Sequence, residues 1–227
     1  MEAIVLAGGF GTRLSHIVSD VPKPMALVNG KPFLVYILNH LKEYNFKKVV
    51  LAVGYKSDSI KNYFKNSYKD MEIIYSDEDT PLGTGGAIKK ALQKCNANSI
   101  LITNGDTFFD VNLAGMKTFH NIHNGCITIA VKTMYHYDRY GSVIVKDNKV
   151  IKFIEKKETE QGIINAGMYY INKQIFCDIN NECFSFEKMI LESLKYDIYA
   201  FESNGYFIDI GIPEDYYRAQ KDFANER

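Results

Sequence analysis

The sequence predicts an α/β chain built on one doubly wound, mostly parallel sheet flanked by helices. Across the first half, short apolar runs alternate with segments of helical periodicity, the pattern of strand–helix–strand units joined by right-handed crossovers. Residues 49–53 are apolar throughout, as a parallel strand covered on both faces must be. A glycine-rich turn, Gly8-Gly9-Phe10-Gly11, follows directly on the apolar run Ala3-Ile4-Val5-Leu6. In such sheets ligands bind beyond the carboxyl ends of the strands, so this turn marks the candidate ligand edge.

After the first strand, Phe33, Leu34, Ile37, Leu38 and Leu41 recur at helical spacing, and Pro32 can open that helix. Residues 49–53 form the second strand, 57–64 a short helix, 71–75 a third strand, 84–92 a helix and 99–103 a strand. Asn104-Gly105-Asp106 follows that strand and falls on the same edge as the glycine turn. The second half is richer in strand signals, at 126–132, 142–145, 150–154 and 164–171. Phe186, Met189, Ile190 and Leu194 mark another helix, 206–210 the last strand, and 214–223 a closing helix with Pro213 in its first turn. No linker, low-complexity tract or internal repeat divides the chain, so residues 1–227 read as one domain.

At 227 residues and 25.9 kDa the chain has the size of a single α/β domain. With 46% hydrophobic and 24% charged residues it has ordinary globular composition. Lys+Arg 27 balance Asp+Glu 27, so no global basic field invites nucleic acid or an anionic membrane. An anionic ligand must therefore be met by a local group of cations. The sixteen tyrosines lack basic interleaving, which argues against a base-stacking platform. Residues 1–4 enter the first strand at once, without a charged leader, and no apolar stretch reaches 18 residues. Cys95, Cys126, Cys177 and Cys183 lack C-x-x-C spacing, and the expectation is free thiols in a cytoplasmic protein. His120 and His123 read as a solvated helix face rather than a ligand pair.

The glycine turn carries the chemistry. Without Cβ atoms its backbone N–H groups can approach an anion and cradle phosphate oxygens. Arg13 stands where its guanidinium adds charge-assisted bonds to the same phosphates. Ten residues on, Lys23 is held between Pro22 and Pro24, whose φ angles are fixed near about −65°. Two cations at a phosphate-sized loop point to phosphoryl or nucleotidyl chemistry. Two common phosphate loops fail on the residues. A dinucleotide fingerprint needs Gly-x-Gly-x-x-Gly and an acid near the end of the second strand. This chain has Gly-Gly-x-Gly, and that strand ends in Gly54-Tyr55-Lys56. A P-loop needs Gly-Lys-Ser/Thr, and here the residues are Gly-Thr-Arg.

Gly8-Gly9-x-Gly11-Thr12-Arg13-Leu14 with Pro22-Lys23-Pro24-Met25 resembles the signature of the sugar-1-phosphate nucleotidylyltransferases. The resemblance continues, in the family's order, through residues 81–87, Asn104-Gly105-Asp106, Glu155-Lys156, Asn165-Ala166-Gly167 and Phe207-Ile208-Asp209-Ile210-Gly211. It spans about residues 2–217. It implies a Rossmann-like nucleotide-binding half (1–110) and a smaller, β-rich sugar-phosphate-binding half (111–227). No C-terminal β-helix of the kind many members carry is expected. The implied reaction is attack by a sugar 1-phosphate oxygen on the α-phosphorus of a nucleoside triphosphate, with pyrophosphate leaving.

The resemblance also implies roles, residue by residue. Arg13 and Lys23 would be the catalytic cations. Leu6, Ala7, Gly8, Gly9, Gly11, Thr12, Arg13, Asp79 and Gly83 would bind the nucleotide, and Gly141, Glu155, Lys156, Asn165 and Gly167 the sugar phosphate. Asp106 and Asp209 would hold Mg²⁺, which takes one or two carboxylates plus phosphate oxygens and water. By residue type alone Asp106 also suits a turn or helix cap, Asp209 a core carboxylate, and Glu155-Lys156 a solvated charge run. Lys157 replaces the proline that often follows in the family, and Phe207 stands where tryptophan is common.

The short length, the stretch 77–87 and the ending 207–216 resemble most the bacterial D-glycero-α-D-manno-heptose 1-phosphate guanylyltransferases, which supply surface-polysaccharide precursors. Asp77-Glu78-Asp79-Thr80 has no glutamine of the uridylyl and thymidylyl type. A carboxylate can accept both N1–H and N2–H of guanine, so GTP is the expected donor. An exposed turn favours the same residues. Mannose 1-phosphate with GTP, a uridylyl or cytidylyl transferase, and a non-catalytic NDP-sugar-binding subunit stay open as alternatives, and so does homo-oligomerisation. No nucleic acid or membrane partner is expected.

Overall fold

A computed structural model of the chain describes residues 1–9, 14, 17, 18 and 20–224. In chain order the elements are β1 (Glu2–Leu6), a 3₁₀ turn (Lys23–Met25), β2 (Leu27–Val28), β3 (Lys31–Pro32), α1 (Phe33–Glu43), β4 (Lys48–Val53) and α2 (Ser57–Phe64). Then follow β5 (Ser67–Tyr68), β6 (Met71–Asp77), α3 (Gly83–Leu92), β7 (Ser99–Asn104), β8 (Thr107–Phe109) and α4 (Leu113–His123). The second half contains β9 (Ile127–Tyr137), β10 (Ser142–Lys146), β11 (Lys149–Ile154), β12 (Thr159–Asn172), a 3₁₀ turn (Lys173–Phe176), a π-helical turn (Glu187–Leu191), β13 (Ile198–Glu202), β14 (Phe207–Asp209) and α5 (Pro213–Asp222).

Ten strands form one sheet in the order β10-β11-β13-β9-β12-β7-β1-β4-β6-β5. The four neighbours β7, β1, β4 and β6 are mutually parallel. From β1 the chain steps outward through α1 to β4 and through α2 to β6, then returns through α3 to β7 on the other side of β1. That reversal makes the carboxyl ends of β1 and β7 a topological switch point, where a crevice opens in doubly wound sheets. Beyond β7 the sheet changes character. β12 runs antiparallel to both β7 and β9, β10 and β11 pair antiparallel, and β13 returns parallel to β9.

Period-two alternation sends side chains to both faces. Ala3, Val5, Val49, Leu51 and Leu101 pack in one core with α1, α2, α4 and α5. Ile4, Val50, Ala52, Ile100 and Ile102 pack in the other with α3 and Phe176, Phe186, Ile190 and Leu191. The apolar runs read from the sequence are thus strands covered on both sides.

Four expectations need correction. The sheet is mixed rather than mostly parallel: parallel order is confined to the β7-β1-β4-β6 block and the β9–β13 pair. Periodicity reports that a strand is buried, but not which neighbour it meets. The last strand, β14, lies outside the main sheet and pairs with β8 in a two-stranded ribbon. The helix expected around Phe186–Leu194 is a five-residue π turn, closed by Glu192 N–H on Glu187 C=O at 2.8 Å. His120 is no solvated residue. It is 2% exposed, with Nδ1 2.9 Å from Thr128 Oγ1 and Nε2 3.2 Å from Asn172 Oδ1. Both ring nitrogens find partners, which is what makes a buried imidazole tolerable, and burial holds its pKa below the ordinary value. The short strands β2, β3, β5 and β8 and the strand β13 have no counterpart among the expected elements. The four cysteines are free thiols, with burial pushing Cys95 up to about 11.

Candidate active site

The ends of the four parallel strands line one cavity of about 560 Å³. β1 contributes Leu6 and, beyond its end, Ala7, Gly8 and Gly9. The turns after β4 and β6 contribute Gly54, Tyr55, Glu78 and Asp79, while β7 brings Asn104 and Asp106. Backbone bonds tie these ends together: Ala7 N–H donates to Ala52 C=O, Gly105 N–H to Leu6 C=O and Glu78 N–H to Val53 C=O, each at 2.8 Å. Glu78 is half-buried. It accepts Leu82 N–H at 3.2 Å, its other oxygen lies against Gly8, and burial raises its pKa. It braces the two turns that flank the cavity.

A second cavity, of about 470 Å³, opens on the β-rich side and shares Asn104 with the first. Gly141, Glu155, Lys156, Asn165, Gly167 and Asp209 line it, together with Arg139, Tyr140, Glu187 and Lys188. A bulge in β12 between Asn165 and Tyr169 shapes its wall. Asn165 Nδ2 donates to Tyr169 Oη at 3.0 Å and Oδ1 accepts Gly167 N–H at 3.1 Å. Gly167 has φ +72°, and a Cβ there would lie 2.5 Å from Asn104 Nδ2, so the join between the cavities requires glycine.

Beside that join the β8–β14 register pairs Thr107 with Asp209, which sets Asp209 next to Asp106. Ile210 N–H donates to Asp106 C=O at 3.0 Å, and Asp209 Oδ1 accepts Gly211 N–H at 2.7 Å. Burial, and then the Asp106 charge, push Asp209 up to about 6, opposed by Gly211 N–H, Lys23 and Arg139. Lys23, carried by the 3₁₀ turn after Pro22, places Nζ 3.3 Å from Asp106 Oδ2 with its side chain 14% exposed. Two crowded carboxylates with one ammonium on their edge are a site whose repulsion a divalent cation relieves. The donors are hard oxygens, suited to Mg²⁺. Among the described residues no cluster of three His, Cys, Asp or Glu could complete a metal cage. Further ligands would have to come from phosphate and water, as Mg²⁺ accepts.

The glycines at the start of α3 serve packing. Phe184 C=O accepts Gly85 N–H at 2.9 Å and Gly86 N–H at 3.4 Å, so these amides are taken and do not await an anion. Thr84 Oγ1 donates to Glu187 Oε2 at 2.6 Å and accepts Phe186 N–H at 2.9 Å. Thr84 lines the first cavity and Glu187 the second, so this clamp joins the two. A Cβ on Gly86 would lie 2.1 Å from Glu182 C=O. Gly86→Ala should therefore destabilise the fold by about 1–3 kcal/mol through overpacking and weaken binding in both cavities. Denaturant unfolding and the Michaelis constants of both substrates check this.

Every expected site residue within the described set lines one of the two cavities. Leu6, Ala7, Gly8, Gly9, Lys23, Asp79, Gly83 and Asp106 line the first, and Gly141, Glu155, Lys156, Asn165, Gly167 and Asp209 the second. Gly11, Thr12 and Arg13 lie outside the described residues. The sequence reading missed Tyr55, Glu78, Thr84, Arg139, Glu187 and Lys188 as lining residues. For Tyr55 and Glu78 a signal existed, since each follows closely on a parallel strand.

The family model for nucleotidyl transferases matches residues 2–226. The D-glycero-alpha-D-manno-heptose 1-phosphate guanylyltransferase of Aneurinibacillus thermoaerophilus is 48% identical over 228 residues, covering 99% of this chain and 99% of its own. The enzyme of the same name from Campylobacter jejuni is 48% identical over 220 residues, covering 96% of this chain and 97% of its own. The crystal structure of HddC from Yersinia pseudotuberculosis complexed with GMP-PN superposes with a TM-score of 0.88 at 36% identity, over 98% of this chain and 99% of that one.

Proposed function

Because the chain belongs to the nucleotidyl transferase family, we propose that it transfers the guanylyl group of GTP to D-glycero-α-D-manno-heptose 1-phosphate, releasing pyrophosphate and GDP-heptose. The observation that carries this reading is the meeting of two cavities at Asn104, beside Lys23, Asp106 and Asp209. Two anionic substrates must react there, and the site supplies charge rather than a nucleophile.

In this reading the first cavity takes GTP and the second the sugar 1-phosphate. A phosphate oxygen of the sugar 1-phosphate attacks the α-phosphorus in line, and the bond to the pyrophosphate oxygen breaks. No proton need move. Asp106 and Asp209 would hold Mg²⁺, which when bound neutralises charge on the reacting phosphates. Lys23 meets the triphosphate with little freedom to lose, since its backbone is held by Pro22 and Pro24. Arg13 adds the second cation expected from the sequence. Glu155 accepts sugar hydroxyls, and Asn165 with Gly141 shapes the sugar wall.

Asp79, at the first cavity's edge, accepts the guanine N1–H and N2–H, while Glu78 is engaged by Leu82 N–H. Among the described residues no helix is long and apolar enough to cross a membrane, and activated-sugar synthesis in the cytoplasm is part of this proposal.

Competition among GTP, UTP, CTP and dTTP, each with heptose 1-phosphate and mannose 1-phosphate, tests the reading through pyrophosphate release. GTP with the heptose should win by at least about tenfold in kcat/KM, because the single N3–H of uracil or thymine leaves an acceptor unpaired and cytosine presents an acceptor at N3. A preference for a pyrimidine triphosphate would overturn the base assignment and leave the reaction class standing.

A further inference from the structure

Arg139 lies in the turn between β9 and β10 and lines the second cavity together with Tyr140, Gly141 and Asp209. Its Nη2 donates to Asp215 Oδ2. Asp215, in the first turn of α5, is only 5% exposed, and its other oxygen receives Arg218 Nη2 at 3.1 Å. One buried carboxylate thus anchors two guanidinium groups, and Arg218 also faces Asp222, its Nε 3.9 Å from Oδ2. Arg139 Nε is 4.0 Å from the exposed carboxylate of Asp138, and Nη2 is 3.4 Å from Tyr140 Oη. Among the described residues Nη1 has no hydrogen-bond partner.

The surroundings set what this cation can bind. Asp209 lines the same cavity as Arg139, and its charge acts on the guanidinium. Tyr140, which lines the same cavity, is no competing anion, because burial, and then Asp209, push its phenol up to about 12. A guanidinium is a planar fork that matches two oxygens of one phosphate and cannot itself give up a proton at neutral pH. Sugar hydroxyls need no such charge.

We propose that Arg139 is a substrate-binding residue whose guanidinium, held in place by Asp215, receives the phosphate of the sugar 1-phosphate and aims it at the first cavity. The inference rests on the assignment of the second cavity to the sugar 1-phosphate. Lys156, which lines the same cavity, supplies a point charge, while Arg139 supplies orientation. Asp215 acts through Arg139 and is a positioning residue.

The test is calorimetric titration of the full chain with heptose 1-phosphate in the presence of Mg²⁺, together with steady-state kinetics, for the wild type, Arg139→Ala, Arg139→Lys and Asp215→Asn. Arg139→Ala should weaken sugar 1-phosphate binding and raise its KM at least about tenfold, as loss of a charge-assisted pair does, with the KM for GTP within about twofold. Arg139→Lys should recover part of the loss, because the charge stays and the fork goes. Asp215→Asn should fall between them. Should Arg139→Ala or Asp215→Asn fail to fold, Arg139→Lys, which keeps a cation on Asp215, decides the matter through the same split between substrates. Unchanged sugar 1-phosphate binding in the folded Arg139 variants, or an equal rise in both KM values, would overturn the inference while the proposed reaction stands. Wild-type protein that binds no sugar 1-phosphate would overturn both. Arg139-dependent binding combined with a preference for another triphosphate would support the inference and remove the guanylyl assignment alone.

Discussion

Asp209→Asn should lower kcat by about three orders of magnitude, on the order of 4 kcal/mol of lost transition-state stabilisation, while leaving the fold intact. The amide oxygen can still accept Gly211 N–H, the 2.7 Å bond that shapes this turn, but an amide cannot neutralise a divalent cation. Stability should move the other way. Burial and Asp106 hold the Asp209 carboxyl at about 6, above its ordinary 3.8. The folded protein therefore keeps this proton longer than the unfolded chain does, and ionisation costs the wild type stability as pH rises from about 4 to 6. That penalty is complete above 6 and absent below 4. Without metal, Asp209→Asn should melt a few degrees above wild type at pH 7.5 and level with it near pH 4. Melting curves in chelator and pyrophosphate release in Mg²⁺ measure the two halves. Near-native turnover would remove Asp209 from the metal site.

Lys23→Ala should cost about a hundredfold in kcat, the scale of losing one preorganised charge at a reacting group. Its ammonium sits 3.3 Å from Asp106 with the side chain 14% exposed, so no solvent cation replaces it at equal strength. If Lys23 acts on charge that develops during transfer, the KM for GTP should change less than kcat. Lys23→Arg should restore only part of the rate, because a planar fork does not fit the space of a point charge. A Lys23→Ala enzyme within threefold of wild type would show that the prolines hold this lysine for structural reasons alone.

Much of the first half was legible because its signals are local. An uninterrupted apolar run such as Val49–Val53 reports a strand with two covered faces, and β4 packs one set of its side chains in each core. Helical spacing from Phe33 to Leu41 marked α1, which runs Phe33–Glu43. Residues that follow directly on parallel strands, such as Gly8 and Asp106, had to fall on one edge, and they line one cavity. Glu155, Asn165 and Asp209, which line the second cavity, were picked out only through resemblance to a family, since nothing in their own neighbourhoods tells a cavity-lining polar side chain from a solvated one.

By itself, then, the sequence determined the αβ alternation of the first half and the edge on which the glycine turn and Asp106 lie. The tertiary structure decided the rest. The register of β8 against β14 brings Asp209 beside Asp106, 103 residues apart in the chain, and burial at that pairing perturbs the carboxylate. The insertion of β12 between β7 and β9 turns a parallel sheet into a mixed one. Asp215 fixes Arg139 across 76 residues. His120 is a core residue because Thr128 and Asn172 happen to face it. Periodicity and turn chemistry are properties of a few neighbouring residues, whereas strand pairing and ion pairing depend on which edges and charges the folded chain leaves open to one another.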